Sequence, residues 1–165
     1  RKDLKGNITF EFPEAHEYKP VLRDILENVP ESIGVPYGEN KRKLFELVPA
    51  GGYWRNIDPE LAKAYMKSCW DMEGGRTGIL RRLSMDEPSL TVLTSPSQKQ
   101  TERCHPLEAR PFTVRENARC QSFPDSWEFC GKVMSQYKQV GNAVPVNLGY
   151  EVANMIYEAL EGKEG

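Results

Sequence analysis

Glycine and proline punctuate this chain so often that no long regular element fits across its middle. Residues 30 to 56 carry Gly34, Pro36, Gly38, Pro49, Gly51 and Gly52. Proline lacks the N–H that helices and ladders need, and glycine loses the most conformational freedom on folding. This stretch therefore predicts loop with at most short regular pieces. From Gly74 to Pro106 the pattern changes. Gly74, Gly75 and Gly78 lead into Ile79-Leu-Arg-Arg-Leu83, then Leu90-Thr-Val-Leu-Thr94, then Ser95-Pro-Ser-Gln-Lys-Gln100. Short β-prone pieces joined by Gly, Pro and Ser predict a small, loop-rich β unit.

Helices are expected on either side. Val21, Leu22, Ile25, Leu26 and Val29 fall on one helical face between Pro20 and Pro30. Asp58-Pro59 is an N-cap followed by proline at the first position, and Leu61, Ala62, Tyr65, Met66 and Cys69 continue that helix towards Trp70. Thr113-Val-Arg-Glu116 fits a capping box, in which each end of the motif satisfies the other's backbone donor. A short helix to about Phe123, closed by Pro124-Asp125, would follow. The last helix runs from about Pro145 to Glu161 with Leu148, Val152, Met155, Ile156, Ala159 and Leu160 on one face. Asn7-Ile-Thr-Phe-Glu-Phe-Pro13 alternates like a short strand or extended arm. The expected fold class is α+β, a small irregular β-rich unit flanked by helices.

Composition excludes several classes. Lys and Arg total 22 against 24 Asp and Glu, a formal charge of −2, which rules out a polybasic binder held by bulk charge. The charged fraction of 28% and apolar fraction of 39% are those of an ordered, water-soluble domain. No apolar run approaches the roughly 18 residues that cross a bilayer, and no signal-peptide pattern opens the sequence. The four cysteines, at 69, 104, 120 and 130, form no C-x-x-C pair, so reduced thiols in a cytoplasm are expected. His16 and His105 are too few and too far apart for a histidine metal site. The first residue is Arg1, so the expectation is a piece of a longer polypeptide.

Two stretches carry chemistry. Arg110-Pro-Phe-Thr-Val-Arg-Glu-Asn-Ala-Arg-Cys-Gln-Ser-Phe-Pro-Asp125 sets Arg115 and Arg119 one helical turn apart. They can reach phosphates, pair internally with Glu116 and Asp125, or stay solvated. Gln139-Val-Gly-Asn-Ala-Val-Pro-Val-Asn147 feeds the final helix. There Gly141 allows a close backbone approach and Asn142 offers a donor and an acceptor, so this loop holds a polar ligand or simply caps the helix.

In this order, the two stretches closely resemble the last two motifs, numbered IX and X, of the bacterial-type DNA cytosine-5 methyltransferases. Gly51-Gly-Tyr-Trp-Arg55, Asp86-Glu-Pro-Ser-Leu-Thr-Val92 and Thr94-Ser-Pro96 are similar to the target-recognition region that precedes motif IX. The resemblance divides the chain into a connecting segment (1–49), a target-recognition region (50–109), motif IX (110–125), and motif X with its closing helix (126–165). It implies that the parallel sheet of the catalytic domain lies elsewhere. In the family, a cysteine in a Pro-Cys-Gln motif attacks a cytosine flipped out of the duplex, and S-adenosylmethionine supplies the methyl group. Here Ser, Arg, Arg and Phe precede the four cysteines and no Gly-rich cofactor turn occurs. No catalytic residue is therefore assigned, and the chain alone is expected to be inactive.

The resemblance implies double-stranded DNA as partner, S-adenosylmethionine as cofactor with no metal, a bacterial cytoplasm and a restriction-modification setting. Asn142, Ala143 and Val144 carry over as one wall of the cofactor pocket, which an N-terminal catalytic domain would complete in cis or in trans. Between Arg76 and Arg119, eight basic residues stand against five acidic ones, a local positive excess in a negative chain. Arg76, Arg81 and Arg82 are candidates for reading guanine through paired donors, and Gln98 for adenine. Ser95, Ser97 and Lys99 suit phosphates. Thr91 and Thr94 occupy recognition-region positions, and Thr113, Arg115, Glu116 and Arg119 are the structural residues of motif IX.

Two further patterns are weighed down. Glu27-Asn-Val29 spells the family's glutamate motif but ends a helical face, where the family's glutamate closes a strand. Lys41-Arg42-Lys43 reads as a solvated loop with a phosphate contact as the lesser alternative. The apolar face of the last helix needs a substitute partner, such as a second copy. Rival readings are a natural subunit of a split methyltransferase, a DNA-binding module without catalytic duty and, more distantly, a tRNA methyltransferase.

Overall fold

In a computed structural model, residues 12–161 are described, and the expected strand at Asn7–Pro13 lies almost wholly outside them. Six helices follow in order: α1 (Leu22–Leu26), α2 (Glu39–Leu47), α3 (Pro59–Met66), α4 (Val114–Cys120), α5 (Val133–Asn142) and α6 (Val146–Glu161). Single 3-10 turns at Trp54–Asn56 and Lys67–Cys69 flank α3. The expected β-rich unit is absent: among the described residues there is no sheet, only the isolated bridges Arg82↔Cys104 and Cys104↔Pro111.

The physical reason is that pairing runs out after one or two bonds around Arg82 and Cys104, and the 90–94 piece forms no bridge among the described residues. Leu83 N–H donates to Cys104 O, Cys104 N–H to Arg81 O and Arg82 N–H to Gly52 O, all at 3.0 Å. Leu80 then sits at φ +49°, and Pro106 and Pro111 interrupt the other side. The backbone polar groups are thus satisfied by crossing contacts between loops rather than by a ladder.

The core lies in three clusters. Tyr37, Phe45, Trp54, Met66, Ile79 and Leu80 fill the first, under α2 and α3. Val114, Ala118, Tyr137 and Val140 join α4 to α5. Leu22, Leu83 and Phe112 fix α1 against the loops. Local signals work where they are strongest. Asp58 Oδ1 accepts from Glu60 N–H at 2.8 Å and Leu61 N–H at 3.3 Å. Thr113 Oγ1 accepts from Glu116 N–H at 3.2 Å while Glu116 Oε2 accepts from Thr113 N–H at 2.7 Å, closing the capping box.

Residues 41–43 are not a solvated loop but part of α2. Lys41 Nζ lies 2.6 Å from the fully buried Glu102 carboxylate and over the Tyr37 ring. Arg42 and Lys43 pair with Glu46 and Glu39 one turn away. Helix α5 was not expected at all, because Gly141 near its end reads as loop. The final helix starts at Val146 as expected, yet no other described helix packs on it. Leu148 is 53% exposed, and Val152, Ile156 and Tyr157 are exposed beside it.

Buried charges hold the junction between the loops and α4. Glu116, its side chain 7% exposed, accepts both Nη groups of Arg110 at 2.8 Å. Burial pushes its carboxyl up, but Arg110 and the Thr113 N–H outweigh that and hold it below 4.5. His105 faces the same carboxylate at 3.6 Å, and its Nδ1 accepts the N–H groups of Leu107 and Glu108 at 3.2 Å. Burial holds this imidazole below its ordinary value of 6.5.

The unfolded chain therefore protonates at position 105 before the folded one does as pH falls below about 6.5. Stability should decline from there towards the lower folded value and level off beneath it. The Glu116 contribution is complete above about 4.5 and lost as pH falls through its own lower folded value. In Tm measured against pH, His105→Gln should erase the decline that begins near pH 6.5; an unchanged profile would place the titrating group elsewhere. At pH 7, Glu116→Gln should lower stability by about 3 kcal/mol, the low end for a broken buried pair because Arg110 keeps Glu108. Chemical denaturation showing a loss under 0.5 kcal/mol would contradict that assignment.

Candidate nucleic-acid interface and cofactor wall

The two motif stretches are laced together by Gln121, one residue past α4. Its Nε2 donates to Val140 O and Ala143 O at 3.1 Å, and its own carbonyl accepts from Val146 N–H at 3.0 Å. One amide therefore fixes the end of α5, the Ala143 turn and the start of α6. Asn142 is the last residue of α5 and is exposed; Ala143 is half-buried; Val144 is 64% exposed. An exposed amide beside exposed apolar surface fits one side of a ligand with both polar and apolar parts. Among the described residues nothing closes the other side.

The expected recognition residues reach this wall through Gly141. A Cβ there would stand 2.6 Å from Leu93 C, Leu93 O and Thr94 N. Only glycine admits a backbone this close. The segment Thr94–Lys99 thus leaves directly from the residue that precedes Asn142. Thr91, Ser97 and Gln98 are exposed, while Thr94, Ser95 and Lys99 are half-buried. Gln98 Oε1 accepts from Thr101 Oγ1 at 3.2 Å. Lys99 Nζ donates to Met66 O at 3.2 Å and lies over the Tyr65 ring.

The three arginines sit deeper. Arg82 donates from Nε to Pro106 O and from Nη1 to Phe45 O and Val48 O, at 3.0–3.1 Å. Arg81 Nη1 donates to Gly51 O at 2.9 Å and Nη2 to Glu87 at 3.2 Å. Arg76 donates from Nη1 to Cys69 O and Trp70 O, with its guanidinium over the Trp54 ring. Each guanidinium has five donors, so each keeps some for another partner.

The motif IX residues turn inward. Arg119 chelates Asp125 at 2.6 and 2.9 Å and also donates to Ile25 O, Glu27 O and Asn28 O. Asp125 is held below its ordinary value chiefly by that hydrogen bond. Arg115 donates to Pro124 O at 3.1 Å and Trp127 O at 2.6 Å, with Phe129 beneath it. Neither arginine is left simply solvated. Glu27 caps the end of α1 on the exposed side, and its carbonyl accepts from Arg119. Gln121, Arg103 and Gln100 were not singled out in the sequence. For Gln121 the signal is its place just past a capped helix; Arg103 enters only as one of the eight basic residues between 76 and 119, and Gln100 carries none.

Residues 1–158 match the family described as C-5 cytosine-specific DNA methylase. The Type II methyltransferase M.Sau96I of Staphylococcus aureus is 54% identical over 162 residues, 97% of this chain and 38% of the relative. M.Eco47II of Escherichia coli is 47% identical over 168 residues, 98% of this chain and 40% of the relative. The rice DNA (cytosine-5)-methyltransferase CMT2 is 40% identical over 163 residues, 91% of this chain and 12% of the relative. The chain spans about two-fifths of the length of these bacterial relatives. On the matched residues and on these identities, the chain belongs to the C-5 cytosine-specific DNA methylase family.

Proposed function

We propose that this chain is the target-recognition and cofactor-closing part of a DNA cytosine-5 methyltransferase that modifies duplex DNA, within restriction-modification, in a bacterial cytoplasm. Methyl transfer requires the recognised base and the methyl donor to meet. The observation that supports the reading is the contact of Leu93–Thr94 with Gly141, which brings the start of the 94–99 segment beside Asn142–Val144. Thr91, Thr94, Ser95, Ser97, Gln98 and Lys99 meet DNA there, joined by the remaining donors of Arg76, Arg81 and Arg82. Residues 50–109 are the recognition region, 110–125 the brace beneath it, and 126–165 the cofactor wall with its closing helix.

Asn142, Ala143 and Val144 form one wall for S-adenosylmethionine, which supplies the methyl group when bound. The exposed apolar face of α6 supports a chain that works against a catalytic half, in cis or in trans. In isolation the same face takes a second copy. With no Pro-Cys-Gln motif in its sequence, the chain alone transfers no methyl group.

In fluorescence anisotropy at low salt, the chain should bind duplex DNA with an affinity that falls as salt rises, as phosphate neutralisation demands. Unlabelled tRNA should compete poorly. Preference for tRNA, or no duplex binding at 50 mM salt, would contradict the reading. Arg82→Met should lower stability by about 1–3 kcal/mol by stranding three carbonyls, and the folded protein should also bind duplex more weakly, because the remaining Arg82 donors are gone. A variant of wild-type stability would show that those three contacts are not needed.

A further inference from the structure

Behind the recognition segment lies an open cleft of about 550 Å³ whose lining includes Arg76, Thr77, Arg81, Gln100, Thr101 and Arg103, with no acidic residue. Its floor is built by two backbones in contact. A Cβ on Gly78 would stand 2.3 Å from Gln100 O, and Glu102 N–H donates to Gly78 O at 2.8 Å. Arg76 enters from a left-handed backbone, at φ +51°, a conformation that persists only where its surroundings enforce it.

Charge in the cleft is unbalanced. Arg81 has Glu87 at 3.2 Å, whereas Arg76 and Arg103 make no ion pair among the described residues. Among the described residues the Arg103 side chain donates one hydrogen bond, from Nη1 to its neighbour's carbonyl, Glu102 O, at 2.9 Å. The Nε atoms of both Arg76 and Arg103 are buried without a hydrogen-bond partner. Orphaned buried donors are rare in folded proteins and call for an acceptor. The nearby Glu102 carboxylate does not answer, being held by Lys41, Tyr65 and the Leu80 N–H. Burial, and then the charge of Arg81, lower the pKa of Arg103.

Three guanidiniums around one cleft exceed what a neutral base edge can use, since one guanidinium suffices to read a guanine. Their excess charge fits an anion with several acceptor oxygens. Resting on the DNA reading above, we propose that this cleft holds a backbone phosphodiester of the bound duplex, with Arg103 as a phosphate contact beside Arg76 and Arg81. The cleft then sets the register of the duplex while Thr91, Thr94 and Gln98 face the bases.

The test compares wild type, Arg103→Gln and Arg103→Lys for binding to two duplexes of unrelated sequence across a salt series. Arg103→Gln should weaken binding about tenfold on both duplexes. The slope of log affinity against log salt should flatten by about 0.9. Arg103→Lys, which keeps the charge, should retain most of that slope. Thermal unfolding checks that each variant is folded; should Arg103→Gln fail to fold, Arg76→Gln is read in the same way. Wild-type affinity and slope in Arg103→Gln would overturn the phosphate site while leaving DNA binding intact. A loss confined to one duplex would also overturn it, making the contact a base contact. No duplex binding by the wild-type chain would remove both readings together.

Discussion

The buried carboxylate of Glu116 is the constraint on which the rest of the arrangement leans. Removed from water, it is tolerable only because Arg110 meets it with two donors at 2.8 Å and Thr113 with a backbone N–H at 2.7 Å. Satisfying that charge fixes the start of α4 and the strand-like run before it at once. From there Phe112 O accepts from the buried Tyr137 hydroxyl at 2.7 Å, which seats α5. Val114 N–H donates to Ile33 O at 3.0 Å, which ties down the segment after α1. With α4 and α5 set, Gln121 can reach both carbonyls at the α5 end. The proposed cofactor wall, Asn142–Val144, is thus positioned from a charge several residues away.

The second constraint is a distance rather than an energy. Gly141 admits the Leu93–Thr94 backbone at a separation that any Cβ would forbid. A loop-rich region without a sheet has few ways to hold its orientation, and backbone-to-backbone contact is the stiffest of them. Gly78 repeats the device at the floor of the arginine cleft. The proposed recognition region is therefore anchored twice by glycine, once to the helix pair and once to itself. Arg82 spans the remaining gap to α2 and the 104–106 turn.

What was legible in the sequence was local. The capping box at Thr113–Glu116 and the Asp58-Pro59 opening are decided within four residues, and both formed as expected. That the expected β unit does not form was not legible, because a ladder depends on partners far along the chain. The piece 79–83 has the residues of a strand but pairs with a neighbour that Pro106 interrupts, and 90–94 makes no bridge among the described residues. Helix α2 was hidden by Gly38 and Pro49 at its borders, and its Lys41-Arg-Lys43 run looked like surface until Glu102 appeared beneath Lys41. Helix α5 was hidden by Gly141, whose purpose lies in a contact nearly fifty residues away in sequence. Family membership rested on the long motif stretches, and the comparisons agree with it. Arg103, between Glu102 and Cys104, counts in the sequence only towards the positive excess of 76–119 and is singled out by the cleft around it.

The central claim is that this chain chooses the DNA site and turns its recognition segment towards the cofactor wall. It is tested most directly by grafting residues 1–165 onto the remaining part of a family member that methylates a different DNA word. Cytosine methylation is then mapped in the DNA of the expressing cells by bisulfite sequencing. The expected result is methylcytosine at a new word, the one the isolated chain prefers in duplex binding. Methylation that stays at the host enzyme's original word would contradict the assignment of recognition to this chain.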